Sequence, residues 1–427
     1  MEKVIIAGVM LGHDIDFDKS MDELEGLCEA CEMQVVGRVT QAMETVNKGT
    51  YMGSGKVVEL KEFCNSLEAS IVVFDDSLTP SQLRNLSDEL GVGVMDRSTL
   101  ILQIFSRRAR TREAKLQVEV ASLQYMLPRL IGLRDALSRQ GGTSGSMSNR
   151  GAGETKLELD RRRLEARLVQ LRRELKEVSS ERETQRKHRN NSGVLKVALV
   201  GYTNAGKSTL MNSLIDEYGV DDVDSQEKKV EEKDMLFATL DTTIRRIEPD
   251  NHQPMLVSDT VGFIDKLPHH LVEAFSSTLE EACEADVIIH VIDYSDPDND
   301  RHIAVTEKTL NSLGAGDIKR IYVFNKADKV KDLNELPEVI SDGELVKIYM
   351  SAKQHLGLEE LLTAIEGLKS DDFVSCQLLI PYDKGAIVSY ITENGVINST
   401  TYEAEGTLLE CRIAVADFGK YKEYEVR

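Results

Sequence analysis

The sequence predicts an α/β protein of several domains: an N-terminal α/β domain, a long basic antiparallel helical hairpin, a central doubly wound domain with a mostly parallel sheet, and a small C-terminal α+β domain. Three observations carry this reading. Short apolar runs alternate with helix-like segments over residues 1–105 and again over 194–368. Between those regions leucines recur at heptad spacing. A Gly- and Lys-bearing loop at 201–208 directly follows the apolar run Leu195–Val200 and precedes the helical stretch Thr209–Ile215, as in a sheet that offers a loop to phosphate. At 427 residues the chain is too long for one ordinary core, which fits three or so domains.

In chain order, Val4–Gly8, Met33–Val39 and Ser70–Phe74 read as strands, with Val92–Met95 as a further one. Helices are expected near 20–30, 59–67 and 79–90. Gly53-Ser54-Gly55-Lys56 mimics part of a phosphate loop but lacks the spaced first glycine, a Ser/Thr after Lys and a preceding apolar strand, so it is taken as a decoy. The second domain is placed at 106–190. Its pattern turns helical from Thr99 to about Gln140, with a kink or break expected at Pro128, and resumes from Glu154 to about Arg189. Leu157, Leu164, Leu171 and Val178 repeat every seven residues, with Leu168 and Leu175 between them, a stripe that two paired helices would bury. The Gly/Ser-rich loop 141–153 joins them; it cannot pack a core and is expected to be mobile, with Arg150 available to RNA. After a linker near 188–193 the central domain runs 194–368. The tail 373–427 shows apolar runs at Phe373–Ile380 and Leu408–Val415 and no catalytic motif.

The central domain carries its chemistry in ordered motifs. Gly201-Tyr202-Thr203-Asn204-Ala205-Gly206-Lys207-Ser208 fills every fixed position of the phosphate-binding loop. Its glycines allow backbone N–H groups to converge on phosphate at a helix N-terminus. Lys207 would neutralise the outer phosphates and the Ser208 hydroxyl would ligate Mg²⁺. The apolar strand ending Asp259-Thr260-Val261-Gly262 supplies a carboxylate that can hold Mg²⁺ through water and a glycine that lets backbone approach a γ-phosphate. Ile321–Phe324 runs into Asn325-Lys326-Ala327-Asp328, where Asp328 can accept two N–H bonds from the guanine edge that adenine cannot donate. Lys326 would lie along the base, and Ser351-Ala352-Lys353 would bring a backbone N–H to the guanine O6. Four motifs in this order indicate a GTP site.

Composition narrows the classes. Hydrophobic residues make up 41% of the chain, and no apolar run approaches the ~20 residues of a membrane span, so a cytoplasmic protein without membrane contact is expected. Cysteines 28, 31, 64, 283, 376 and 411 are scattered, and the Cys28-x-x-Cys31 pair, without a second pair nearby, reads as packed thiols. A net charge of −21 argues against nucleic acid, yet residues 107–189 hold 21 Lys/Arg against 11 Asp/Glu. Basic charge gathered in one region, with Arg107, Arg108, Arg110 and Arg112 at its start, is the footprint of a polyanion contact.

These motifs, with Leu236-Phe237-Ala238-Thr239-Leu240-Asp241, Asp259-Thr260-Val261-Gly262-Phe263-Ile264 and the segment ending Gly151-Ala152-Gly153-Glu154-Thr155, resemble the HflX GTPases of the Obg-like group of P-loop GTPases. The resemblance extends to Tyr51–Val57 and Val94–Arg97 and is weakest over the tail. It implies that Thr239 is the switch threonine completing Mg²⁺ coordination with Ser208; on sequence alone Thr242 and Thr243 stand as alternatives. One departure is the missing Pro between Asp241 and the next Thr. The resemblance also implies association with the large (50S) ribosomal subunit and its rRNA, in ribosome splitting, rescue or biogenesis, by a monomer. Many GTPases place a water-orienting Gln after Asp-x-x-Gly, but Phe263 stands here, so slow intrinsic hydrolysis is expected. Asn204 offers one remedy, since in related GTPases an Asn there helps to hold K⁺ near the phosphates. The catalytic candidates are thus Lys207, Asn204, Thr239 and Gly262. Alternatives are a GTP-timed module for another structured RNA or assembly intermediate, and a metabolic nucleotide-dependent enzyme, which the lack of a second catalytic constellation disfavours.

Overall fold

The computed structural model describes residues 1–12, 16–140, 150–190, 194–219, 236–237, 242–250, 252–266, 281–342, 345–368 and 373–426; for 130–140, 150–157 and 179–190 it describes the backbone. The chain forms two compact units. One comprises Met1–Ser179, Asp234–Leu240 and Asp265–Ser276; the other comprises Ser180–Lys233, Asp241–Ile264 and Ser277–Arg427.

The first unit opens with four parallel strands, β1 (Glu2–Leu11), β2 (Met33–Met43), β3 (Ile71–Phe74) and β4 (Gly93–Asp96), in the order β2-β1-β3-β4. β1 is central, and its Val4 to Val9 are buried, which is why it reads as a continuous apolar run. Helices α1 (Phe17–Ala30), α2 (Ser54–Leu67) and α3 (Pro80–Leu90) connect the strands. α3 starts on a capping box in which Thr79 and Gln82 satisfy each other's backbone N–H, with Pro80 at its first turn. Gly53-Ser54-Gly55-Lys56 is the start of α2: the Gly53 N–H donates to Gln41 Oε1 (2.9 Å) and Lys56 pairs with Glu59 (2.7 Å). Burial pushes the Cys28 and Cys31 thiols up, to about 12 and about 11, as packed thiols require.

The helical region departs from expectation at two places. The break falls not at Pro128 but at Ala109–Thr111, between α4 (Arg97–Arg108) and α5 (Arg112–Gln140); Thr111 Oγ1 accepts from the Ala114 N–H to start the new helix. Pro128 lies within α5, where its ring removes one ladder bond. Neighbouring side chains hold that turn in place. Arg129 donates to the Tyr125 and Leu78 carbonyls and to Asp96 (3.0 Å each), and stacks on the Tyr125 ring. Asp96 is fully buried, takes the Tyr125 hydroxyl as well, and caps α4 through the Thr99 N–H. The second departure is α6 (Arg150–Asn190), whose first turn is Arg150–Gly153, so those residues are not loop. Residues 141–149 lie outside the described residues. Part of the heptad stripe is buried as expected: Leu168 and Leu171 pack with Leu116, Val120, Leu123 and Leu127 of α5, flanked by the partly buried Leu164, Leu175 and Val178, while the Leu157 side chain lies outside the described residues.

In the second unit seven strands form one sheet, ordered β10-β11-β9-β8-β5-β7-β6: β5 (Leu195–Gly201), β6 (Thr243–Ile247), β7 (Met255–Asp259), β8 (Val287–Asp293), β9 (Arg320–Asn325), β10 (Glu338–Asp342) and β11 (Leu345–Tyr349). β5 lies between parallel neighbours β8 and β7, and all its residues but Lys196 are buried. The edge strands β6 and β10 pair antiparallel and were not foreseen, because β10 is mostly exposed and shows no apolar alternation. Helices α7 (Lys207–Tyr218), α8 (Asn299–Ser312) and α9 (Leu358–Leu368) belong to this unit. So does the tail, a three-stranded antiparallel sheet ordered β12-β14-β13 (β12 Phe373–Ile380, β13 Val396–Tyr402, β14 Thr407–Ala414) with helices α10 (Gly385–Asn394) and α11 (Val415–Tyr421). Its core is Cys376, Leu378, Ile380, Ile391, Leu409, Cys411 and Ile413.

Leu171 is fully buried in the α5–α6 seam, so Leu171→Ala is expected to cost ~2–5 kcal/mol locally. Hydrogen exchange should quicken in α5 and α6 while amides of β5 keep their protection; unchanged exchange in the seam would refute the pairing.

Candidate functional site

The loop 201–208 is shaped by the strands beneath it. Gly201 has φ +149°, and a Cβ there would collide with the Val291 carbonyl oxygen of β8; Gly206 has φ +94°, and a Cβ there would strike the Asn325 carboxamide nitrogen. Only glycine fits either place. Gly206 is the N-cap of α7 and brings no side chain to cap it, and a helix N-terminus of this kind favours negative charge.

Asn325 ties three motifs together. Its Nδ2 donates to the Ala205 carbonyl (3.1 Å), and its Oδ1 accepts from the Ala352 N–H (3.0 Å). The Ala352 carbonyl in turn accepts from Ser213 Oγ of α7 (2.8 Å), and the Ala327 N–H donates to the Met350 carbonyl (3.1 Å). The loops around 205, 325 and 352 are thereby one assembly at the C-terminal ends of β5, β9 and β11, where a parallel sheet presents ligand sites. Asp328 lies half-buried beside it, Ser351 is fully buried, and Lys353 is exposed.

The charged groups are arranged around the loop. Lys207 is buried, and its ammonium donates to the Gly201 and Tyr202 carbonyls (3.0 and 2.8 Å). Burial pushes it down to about 8, with the Lys326 charge adding to the effect and Asp259 opposing it. Ser208 Oγ donates to Asp259 Oδ2 at 2.8 Å, so the two oxygens expected to serve Mg²⁺ are adjacent, and the Asp259 carboxylate is fully buried. Thr260 anchors to the Leu199 carbonyl of β5 (2.7 Å). A Cβ at Gly262 would sit 2.9 Å from Thr203 Cα and 3.0 Å from Lys207 Nζ, so backbone passes directly over the loop here. Phe263 continues this approach: its carbonyl accepts from the Thr203 N–H (2.8 Å), its N–H donates to the Gly201 carbonyl (3.1 Å), and its ring is buried. Val261 is also buried.

Of the sequence-derived residues, those at 201–208, 259–262, 325–328 and 351–353 come together. Phe237 belongs to the other unit, packed edge-on to Phe105 with ring centroids 4.7 Å apart. Ala238, Thr239, Leu240 and Asp241 lie outside the described residues. Sequence reasoning missed Asp293, whose carboxylate accepts from Lys326 Nζ (2.7 Å) while the same ammonium donates to the Asn204 carbonyl (2.7 Å). Its signal was an acid at the end of the apolar run Val287–Ile292, opposite Asn325 in the β8–β9 register. His302 was missed as well; it stacks on Tyr202 at 3.8 Å.

Comparison with known proteins agrees with this geometry. Family models described as "GTP-binding GTPase N-terminal", "GTP-binding GTPase Middle Region" and "50S ribosome-binding GTPase" match residues 18–106, 108–189 and 196–326. The GTPase HflX of Caldanaerobacter subterraneus subsp. tengcongensis is 44% identical over 96% of this chain and 91% of its own. That of Lacrimispora saccharolytica is 42% identical over 96% and 93%, and that of Escherichia coli 35% identical over 98% and 95%. With alignment of this depth running nearly end to end, the chain belongs to the HflX family of GTPases, and its central site hydrolyses GTP.

Proposed function

We propose that GTP binding and hydrolysis at this site switch the chain's association with the large (50S) ribosomal subunit, in ribosome splitting, rescue or biogenesis. The protein acts as a cytoplasmic monomer of four domains, 1–105, 106–190, 194–368 and 373–427. The observation that carries the reading is the basic hairpin on an otherwise acidic chain, with Arg162, Arg163 and Arg173 on its outer face. Several of its arginines pair with acids one turn away, as Arg161 does with Glu158 and Glu165, so the surplus rather than the total faces rRNA. Support also comes from the family model over 196–326, whose description names 50S binding.

Within the site, Lys207 and the α7 N-terminus hold the phosphates, Asp328 reads the guanine edge, and Lys326 lies along the base. Ser208 and the buried Asp259 carboxylate, the latter through water, fit a hard cation that prefers oxygen ligands, with Thr239 as the third group. Mg²⁺ held there would offset charge on the β- and γ-phosphate oxygens. Phe263 is 2% exposed and fastened by its own backbone, so its ring neither reaches nor orients water. Hydrolysis is therefore slow in the free protein and accelerated by the docked subunit, with K⁺ near Asn204 assisting. Gly262 supplies the backbone N–H to the γ-phosphate.

Turnover measured with and without large subunits, in K⁺ and in Na⁺, is expected to be highest with subunits in K⁺. Equal rates in all four conditions would remove both assignments. In sucrose gradients the chain should co-sediment with large subunits when loaded with guanosine 5′-(β,γ-imido)triphosphate and not with GDP; absence from the subunit fraction in both states would overturn the ribosomal reading in favour of another RNA.

Asp328→Asn should weaken GTP by about 100-fold or more, through loss of two charge-assisted bonds to guanine, and should bind xanthosine triphosphate better than the parent does. Unaltered base preference, read by fluorescence competition, would contradict the role. Phosphate binding raises the Lys207 affinity for its proton from the free value of about 8. GTP affinity is thus expected to be level below pH 8 and to fall toward about tenfold per pH unit above it. Calorimetry at pH 8.5 in buffers of different ionisation enthalpy should register proton uptake, and its absence would refute the linkage.

A further inference from the structure

The N-terminal sheet has the order β2-β1-β3-β4, so the strand order reverses between the parallel neighbours β1 and β3. Parallel α/β sheets open a crevice at the carboxyl ends of the strands at such a point, and ligands bind there. Here the crevice is acidic. Asp75, 1% exposed at the end of β3, accepts from Ser20 Oγ of α1 (2.7 Å) and from Arg97 at the head of α4 (2.9 Å). Asp76 follows it and takes the Tyr51 hydroxyl, and Glu23 of α1 pairs with Arg97.

A piece of the chain's own nucleotide machinery fills this crevice. Lys266, four residues beyond Gly262, places its ammonium on Asp75 and on Asp76 (3.2 Å), while the Asp265 carbonyl accepts from Arg97 (3.2 Å). All these groups belong to the same compact unit. Burial works against the Asp75 charge, yet Arg97 and Lys266 hold its carboxyl below the usual range. The same unit grips the other nucleotide-responsive segment. Phe237, two residues before Thr239, is 2% exposed and edge-on to Phe105 of α4, and Leu236 lies against Gly26 of α1. Both Phe237 and Lys266 have left-handed backbone, φ +55° and +54°. Such residues cost about 1 kcal/mol or more and persist where the surroundings over-determine them.

We infer that the Asp75/Asp76 crevice of the N-terminal domain is the receptor for the segment following Asp259-x-x-Gly262, with Lys266 as its ligand, and that it competes with the γ-phosphate for that segment. In the reading proposed above, on which this inference rests, the γ-phosphate draws on the Gly262 backbone, four residues away. A tether so short cannot satisfy both ends independently, so nucleotide state and crevice occupancy are linked and the linkage is reciprocal. Lys266 is a positioning residue: it acts on hydrolysis through Gly262 rather than at the phosphates.

The test compares affinities for guanosine 5′-(β,γ-imido)triphosphate and GDP in full-length Lys266→Met, Lys266→Arg and Asp76→Asn chains. Lys266 is one-third exposed and Asp76 slightly more, so these variants leave the core intact. Lys266→Met and Asp76→Asn are expected to favour the triphosphate over GDP by about 5-fold or more relative to the parent, within the usual range of coupling energies, and Lys266→Arg to restore the parental ratio. In the unmodified protein the triphosphate analogue, relative to GDP, should quicken hydrogen exchange in α1 and β3. An unchanged ratio in both weakened variants, a ratio shifted toward GDP, or identical exchange in the two nucleotide states would each overturn the proposal. None of these readouts involves ribosomes, so failure of the ribosomal assignment leaves the test unaffected.

Discussion

The carboxamide of Asn325 is the constraint around which the nucleotide site is built. One amide accepts from the Ala352 N–H and donates to the Ala205 carbonyl, so the loops around 205 and 352 share a single reference. No other side chain of that size offers a donor and an acceptor in one plane. Its placement dictates neighbours that look unrelated in sequence. Gly206 must lack a Cβ because the amide nitrogen occupies that space, and Lys326 must take a left-handed backbone, φ +59°, to turn its ammonium back toward Asn204 and Asp293. Leaving either end of the amide without its partner in a buried setting would cost ~1–3 kcal/mol and unfasten two loops together.

The polar groups of the site are held by near neighbours. Lys207 rests on two carbonyls of its own loop, and Ser208 rests on Asp259. A phosphate or a cation at these groups would make charge-assisted bonds, which are stronger than neutral ones. Burial pushes the Lys207 ammonium down to about 8, so an anion beside it would favour its charged form. Phe263 is the counterweight. The backbone bonds that bring Gly262 over the loop also seal an aromatic ring into the interior at the position where a water-orienting amide would be useful.

Much of this was legible in the sequence, because the phosphate loop and its partners depend on local backbone demands: glycine where β8 or Asn325 crowds the chain, an apolar strand beneath, a helix beyond. The hairpin seam was legible for the same reason, since heptad spacing is a local property that Leu168 and Leu171 then realise. What escaped notice depends on tertiary pairing. Asp293 acquires its role only because β8 and β9 lie side by side with Asp293 opposite Asn325. Of the kink or break expected at Pro128, the break is absent: the helix runs on, with Arg129, Tyr125 and Asp96 bracing that turn, whereas the break at Ala109–Thr111 carries no proline at all. Strand β10 escaped because an edge strand with four exposed residues out of five has no apolar alternation to read.

Residues 234–240 and 265–276 interrupt or adjoin the nucleotide motifs in sequence, yet they join the unit containing the N-terminal sheet and the hairpin. A GTPase core that kept those segments to itself could change conformation on hydrolysis without informing the rest of the chain. Here the chain's covalent path crosses between the units at Ile264–Asp265, immediately after Gly262, and again on either side of Phe237. Close to each crossing stands an anchored side chain, Lys266 on a buried carboxylate or Phe237 on an aromatic ring. Asp96, which braces Pro128 in α5, lies one residue before Arg97, which holds Asp265. The same corner of the N-terminal sheet therefore secures both the base of the basic hairpin and the Asp265–Lys266 segment, joining the two through one run of ionic and hydrogen bonds.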